Sequence, residues 1–177
     1  MAFRITFSFF LFLLAHSLKA QEVLKLRPSP LAITGVRYQD NYIKITYSQP
    51  QKNNREIFGQ LVPYGKVWRT GANEATEITI TKNILFNNDT LAAGTYSLFT
   101  IPEEDKWTII INSDVGLWGA YNYNSQKDIL RFDVPVQSTD KIYQPFTIIF
   151  DHRNEVADLL LLWDKTAVSI PIQFINN

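Results

Sequence analysis

An all-β fold, arranged as a two-sheet antiparallel sandwich with the jelly roll as one form of it, is what this sequence predicts. Three observations carry that expectation. Apolar residues recur at every second position through much of the chain, turn-forming residues interrupt them at short intervals, and no stretch of ten or more residues carries a helical apolar stripe.

The first twenty residues differ in kind from the rest. Arg4 supplies a basic start, Ile5 to Ala15 form an almost wholly apolar run, and a short polar stretch ends at Ala20. That is the layout of a secretory signal peptide, and its apolar part falls short of the roughly 20 residues that a membrane-crossing helix needs. The mature start is expected at Gln21, with Leu18 as the alternative, and the protein is expected to be exported, periplasmic or secreted. Cleavage at residue 20 removes Arg4 and Lys19 but no acid, leaving fifteen basic and seventeen acidic side chains. So balanced a chain, without a Lys/Arg cluster, gives no basis for nucleic-acid binding. It contains no Cys, so neither a disulfide nor a lipid anchor on an N-terminal Cys is expected, and no membrane anchor remains after cleavage.

Residues 21–30 carry Pro28 and Pro30 and read as an extended lead-in. Residues 31–177 read as one domain; a mature chain of this length should bury roughly 68–70% of its unfolded surface without covalent help. Along it, Ile43, Ile45 and Tyr47 alternate with Tyr42, Lys44 and Thr46, the pattern of a half-buried strand. The same alternation recurs at Ile78/Ile80, Trp107/Ile109/Ile111, Leu130/Phe132/Val134, Phe146/Ile148/Phe150 and Val168/Ile170/Ile172/Phe174. β-Branched and aromatic residues dominate these stretches, as a pleated surface prefers. Turns are expected at Gln39-Asp40, Asn87-Asn88-Asp89, Ala93-Gly94, Pro102 to Asp105, Asn112 to Gly116 and Asp164-Lys165. The run Asp158 to Trp163 is short for a helix and reads as a strand buried on both faces. Roughly nine short strands follow, at the spacing of packed antiparallel sheets.

Alternation breaks down from Gln49 to Ala75, a connection long for a compact domain. Gly59, Gly65 and Gly71 punctuate it, and Arg55, Lys66, Arg69, Asn73 and Glu74 stand beside Phe58, Tyr64 and Trp68. One reading is a polar pocket on an aromatic wall. The other is that Arg69 and Glu74 pair with each other while Phe58 and Trp68 plug one end of the sandwich, since buried charges need partners.

The string from Gly59 to Thr76 (GQLVPYGKVWRTGANEAT), followed by Leu91 to Pro102 (LAAGTYSLFTIP) and Trp118-Gly119-Ala120-Tyr121, resembles the exported bacterial family called domain of unknown function 2911. The resemblance spans nearly all of the mature chain. It implies an envelope or secreted β domain, commonest in Bacteroidota, with no established reaction. Where that family usually reads Tyr-Ser-Arg-Pro with a Gly-Arg further on, this chain has Tyr47-Ser48-Gln49-Pro50 and Asn54-Arg55.

Other chemistries find little footing. His152 is the one His left after cleavage, and it lies in a polar stretch between two strands where a solvated turn is the ordinary explanation. With no Cys and a single His, only an oxygen-ligand metal site is feasible, and no calcium loop of the EF-hand spacing is present; no metal and no cofactor are expected. Glu74, Glu77, Asp128 and Asp133 are available for carboxylate-pair chemistry if they converge, although Arg131 and Asp133 alternate with core residues as a surface pair would. Trp118, Tyr121 and Tyr123 sit among Asn and Gly, suited either to stacking on a ligand or to packing a loop over the sandwich end. Asn88-Asp89-Thr90-Leu91 contains an Asn sequon and an Asp-Thr-aliphatic pattern associated with O-glycosylation, and equally makes a plain turn.

The expected function is therefore non-catalytic binding of a polar ligand: a glycan, peptide or small molecule. Arg69, Asn73 and Glu74 are its polar contacts, and Trp68, Tyr64, Trp118 and Tyr121 its apolar wall. An envelope enzyme acting on a glycan, with Glu74 as acid or base and Arg69 steering an anionic group, is the first alternative. A structural or assembly protein is the second. The oligomeric state stays open.

Overall fold

Alternation in the sequence becomes alternation in space. In β2 (Asn41–Ser48), Ile43, Ile45 and Tyr47 are buried while Tyr42, Lys44 and Thr46 are half-exposed on the other face. The computed structural model describes residues 26–175, so the leader and the start of the lead-in lie outside the described residues. Preceding β2 is β1 (Leu31–Tyr38); following it are β3 (Ala72–Ile80), β4 (Ile84–Phe86), β5 (Asp89–Leu91), β6 (Gly94–Pro102), β7 (Lys106–Asn112), β8 (Asp128–Arg153) and β9 (Val156–Phe174). Helical structure among the described residues is confined to a single 3-10 turn, Ser125–Lys127, whose N-cap Asn124 accepts a hydrogen bond from the Gln126 N–H.

All pairings between these strands are antiparallel, and hydrogen bonding runs without a break in the order β1-β2-β3-β6-β7-β8-β9-β4-β5. The strands are not uniformly short. Two stretches expected as separate strands, one around Phe132 and one around Ile148, belong to the single 26-residue β8. Its first part, to Pro135, pairs with β7, and its remainder, from Val136, pairs with β9. One strand thus serves both halves of the sheet. The turn expected at Asp164-Lys165 is likewise absent, because β9 runs straight through it. Asp164 adopts φ +54 opposite Tyr143, where β8 carries extra residues and the register shifts, so a turn-type residue here makes a bulge. Turns do form at Gln39-Asp40 and Asn87-Asn88, with Gln39, Asn87 and Asn88 in the left-handed region.

The sheet curls back on itself. Leaving β2, the chain pairs with β8: the Lys52 N–H donates to Gln144 O at 2.7 Å and the Phe146 N–H to Pro50 O at 2.9 Å. Beside this seam, the buried Tyr47 hydroxyl accepts from the Ile148 N–H at 3.2 Å. The main core lies between the two curled halves, where Tyr38 of β1 meets Phe174 of β9 with ring centroids 5.5 Å apart, and Tyr47 meets Phe146 edge-on at 5.8 Å. At its centre Trp68 stacks on Trp163 at 5.9 Å and meets Phe146 at 5.0 Å. A smaller cluster of Ala75, Phe99 and Ile110 occupies the outer face of β3, β6 and β7. Leu117, Ala120 and Tyr123 from the connection between β7 and β8 cover it.

Candidate functional site

The connection from β2 to β3 ends at Gly71, and its course is set by backbone hydrogen bonds. The Trp68 N–H donates to Thr100 O at 2.7 Å and the Thr100 N–H returns the bond to Trp68 O at 3.0 Å, which anchors the connection to β6. Trp68 is thereby held in the core, with its indole N–H donating to Gly71 O at 3.0 Å. Past it the chain kinks. Thr70, buried and β-branched, takes φ +54, and Asn73 takes φ +57. A left-handed threonine is strained, and it persists where its surroundings over-determine it. Here its hydroxyl donates to Thr100 Oγ1 at 3.1 Å, and its carbonyl accepts from Thr76 Oγ1 at 2.6 Å. Gly71 lies so close to β2 that an added Cβ would stand 2.9 Å from Ser48 O.

This kink borders a cavity of about 390 Å³. Among the described residues three cations, Arg55, Lys66 and Arg69, line it, and no carboxylate does. Ser29 and Asn73 add polar groups, and Leu61, Pro63, Val67, Trp68 and Trp163 supply much of the apolar wall. Arg55 is spent on the loop itself, its Nε donating to Lys52 O at 3.0 Å and its guanidinium also reaching Gln51 O. Arg69 is different. It is half-buried, its Nε is sealed from solvent with no hydrogen-bond partner, and among the described residues it makes no ion pair. Burial holds its guanidinium below arginine's ordinary pKa, and the nearby Tyr121 acts in the opposite sense.

The remaining predicted residues fall in different places. Asn73 lines the cavity, but its Nδ2 donates to Ser29 O at 3.3 Å. Glu74 does not line it; its carboxylate accepts from Arg27 Nη1 at 2.8 Å and from Ser48 Oγ at 3.1 Å. Its own backbone N–H, then Arg27, hold that carboxyl below the usual range. The expected Arg69–Glu74 pair is therefore not formed, whereas Phe58 and Trp68 do pack against the core aromatics. Tyr64 lies outside the cavity, its ring over Gly59, with Glu104, Glu56 and Glu103 near enough to add to the upward shift that burial gives its phenol. Trp118 and Tyr121 are exposed at 57% and 85% and take no part in the cavity wall; their loop is held by Leu117, Ala120 and Tyr123 and by the Gly119 N–H donating to Asn73 O at 2.9 Å.

The four carboxylates considered for paired chemistry each have their own partners. Glu77 accepts from the Gly116 N–H, Asp128 from Asn112 and Tyr123, and Asp133 from Lys106 across the strand pair and from Thr108. His152 is exposed, 2.6 Å from Asn154 O at the β8–β9 turn. Among the described residues no group of three or more His, Cys, Asp or Glu is placed to hold a metal ion.

The family model for proteins of unknown function, DUF2911, matches residues 29–172. The chain belongs to this family. No curated protein and no solved structure matches it. In this DUF2911 chain the matched region begins at Ser29 on the cavity rim and takes in the whole connection that builds the cavity. Gln49 is turned away from the cavity, its Nε2 donating to Phe146 O at 3.0 Å and to Tyr47 Oη at 3.3 Å in the seam. Two participants carried no signal in the DUF2911 sequence. Trp163 reads as core in a buried strand, and Arg27 gives no local hint of a partner 47 residues away.

Proposed function

We propose that this chain is an exported, non-catalytic binding module whose cavity beside Arg69 takes up an anionic small molecule. Arg69 is the observation that carries this reading. Arg69 is half-buried without an acidic partner among the described residues, and an incoming anion accepts charge-assisted hydrogen bonds from the part of its guanidinium that is not sealed. Three cations and no carboxylate on the cavity wall, among the described residues, favour the same occupant. The leader-like first twenty residues support an exported location, periplasmic or secreted. The two halves of the curled sheet serve, in this reading, as the layers of a jelly-roll-like sandwich that holds the cavity rigid.

Glu74 fits a latch better than an acid or base. Its carboxyl is held ionised and bound to Arg27, so at neutral pH it has no proton to donate. Arg27 and Ser29 belong to the lead-in, which Glu74 and Asn73 tie beside the cavity.

Thermal unfolding of the mature chain with phosphate, sulfate, hexanoate and phenylacetate tests the proposal. At least one anion is expected to raise the midpoint of the wild type and to leave Arg69→Met unmoved, since a ligand that binds the folded form alone stabilises it. No shift with any anion, or equal shifts in both proteins, would overturn it.

A further inference from the structure

Resting on that reading, we infer that the anion is an organic acid: one acidic group carried on an apolar or aromatic body. The charged groups the cavity leaves available are of one sign. Both tryptophan indole N–H groups are engaged elsewhere, Trp68 with Gly71 O and Trp163 with Gln144 O, so neither offers a polar group to a ligand. Asn73 Nδ2 is committed to Ser29 O, and the Arg55 guanidinium to Lys52 O and Gln51 O. What remains are the Arg69 guanidinium and the exposed Lys66 ammonium, neither of which makes an ion pair among the described residues, with the Ser29 hydroxyl and Asn73 Oδ1 as neutral groups beside them.

Donors without carboxylate acceptors discriminate between ligands. Every hydroxyl of a neutral sugar brings a donor that needs an acceptor, whereas a carboxylate only accepts. With two free cations and only neutral acceptors at Ser29 and Asn73 among the described residues, the wall favours an acid over a polyol. Size discriminates further. A bare inorganic anion would fill little of about 390 Å³ and would leave Leu61, Pro63 and Val67 wet. An acid with a ring or short chain sets its head on Arg69 and its body against those side chains, the usual division of labour in a small-molecule site.

Binding of hexanoate and phenylacetate to the mature chain, measured by calorimetry beside hexanamide, acetate, inorganic phosphate and methyl glucoside, tests this. The two body-bearing acids are expected to bind at least about tenfold tighter than acetate, phosphate or the amide. Arg69→Met is expected to lose about tenfold or more of that affinity, the scale of a charge-assisted hydrogen bond. Leu61→Ser lies on a residue already 42% exposed, so it should fold normally; it is expected to weaken the acids severalfold and leave acetate unchanged. Acetate or phosphate binding as tightly as phenylacetate would overturn the apolar body and leave the anion site standing. Methyl glucoside binding while no anion binds would overturn both.

Discussion

The Glu74 carboxylate takes its 2.8 Å hydrogen bond from Arg27 and leaves Arg69, five residues earlier in the chain, without an acidic partner among the described residues. One pairing choice thereby ties the lead-in to β3 and keeps a cation at the cavity.

Acid sensitivity follows from the first half of that choice. Glu74 has a depressed folded pKa, so its contribution is present above the unfolded carboxyl value of about 4.3 and is lost as pH falls through the folded value. Glu74→Gln should differ from wild type by less than about 1 kcal/mol at neutral pH, because Arg27 and Glu74 are 55% and 41% exposed. Below about pH 4.3 it should lose stability less steeply. Urea unfolding between pH 7 and pH 3 reads both; an acid slope identical to wild type would detach Glu74 from the effect.

Arg69 concerns the second half. Met keeps the length and apolar stem of the side chain and removes the charge that burial disfavours. Arg69→Met should therefore be more stable than wild type in the absence of ligand, by about 1 kcal/mol, while losing anion binding. Chemical denaturation without added anions checks the sign. A loss of stability would mean that the guanidinium is satisfied in solution.

Gly71 is held by contact with β2. A Cβ there would stand 2.9 Å from the Ser48 carbonyl oxygen and 3.3 Å from Thr76 Oγ1, so backbone must give way. Gly71→Ala should cost about 1–3 kcal/mol and weaken anion binding through the neighbouring Arg69. Denaturation midpoints and a binding titration on the same protein measure the two effects; an unchanged midpoint would show that the connection and β2 separate freely.

Tyr123 gives an alkaline signature. Its hydroxyl donates to Asp128 Oδ2 at 2.7 Å, and burial, followed by Asp128, pushes its pKa up to about 12. A raised folded value means that the contribution is complete below the unfolded phenol's pKa of about 10 and disappears as pH rises through the folded one. Tyr123→Phe should be about 1 kcal/mol less stable at neutral pH. It should also lack the part of the wild-type decline that falls between about pH 10 and 12. Tyrosinate absorbance, followed with pH, should lose its latest step in the variant.

Much of the local architecture was legible in the residues themselves. The inward faces of β2, β7 and β9, the turns at Gln39-Asp40 and Asn87-Asn88, and the irregular connection after Ser48 all follow from alternation and turn chemistry. Ile110 shows where that reading stops. It lies on the face of β7 opposite Trp107, Ile109 and Ile111, and it is buried because Leu117 and Ala120 fold over it from the next connection.

By itself, then, the sequence determined the facing of the strands marked by alternation, in β2, β3, β7, β8 and β9, and the place of the irregular connection after Ser48. Tertiary structure alone decided that β8 joins both halves of one sheet, that Asp164 makes a bulge within a strand, and that Arg27 rather than Arg69 is the partner of Glu74. The reason is physical. Facing is a property of the pleat and repeats every two residues, so neighbours in sequence reveal it. Partnership is a property of register and of where distant segments cross, and no local pattern encodes which of several charges will meet.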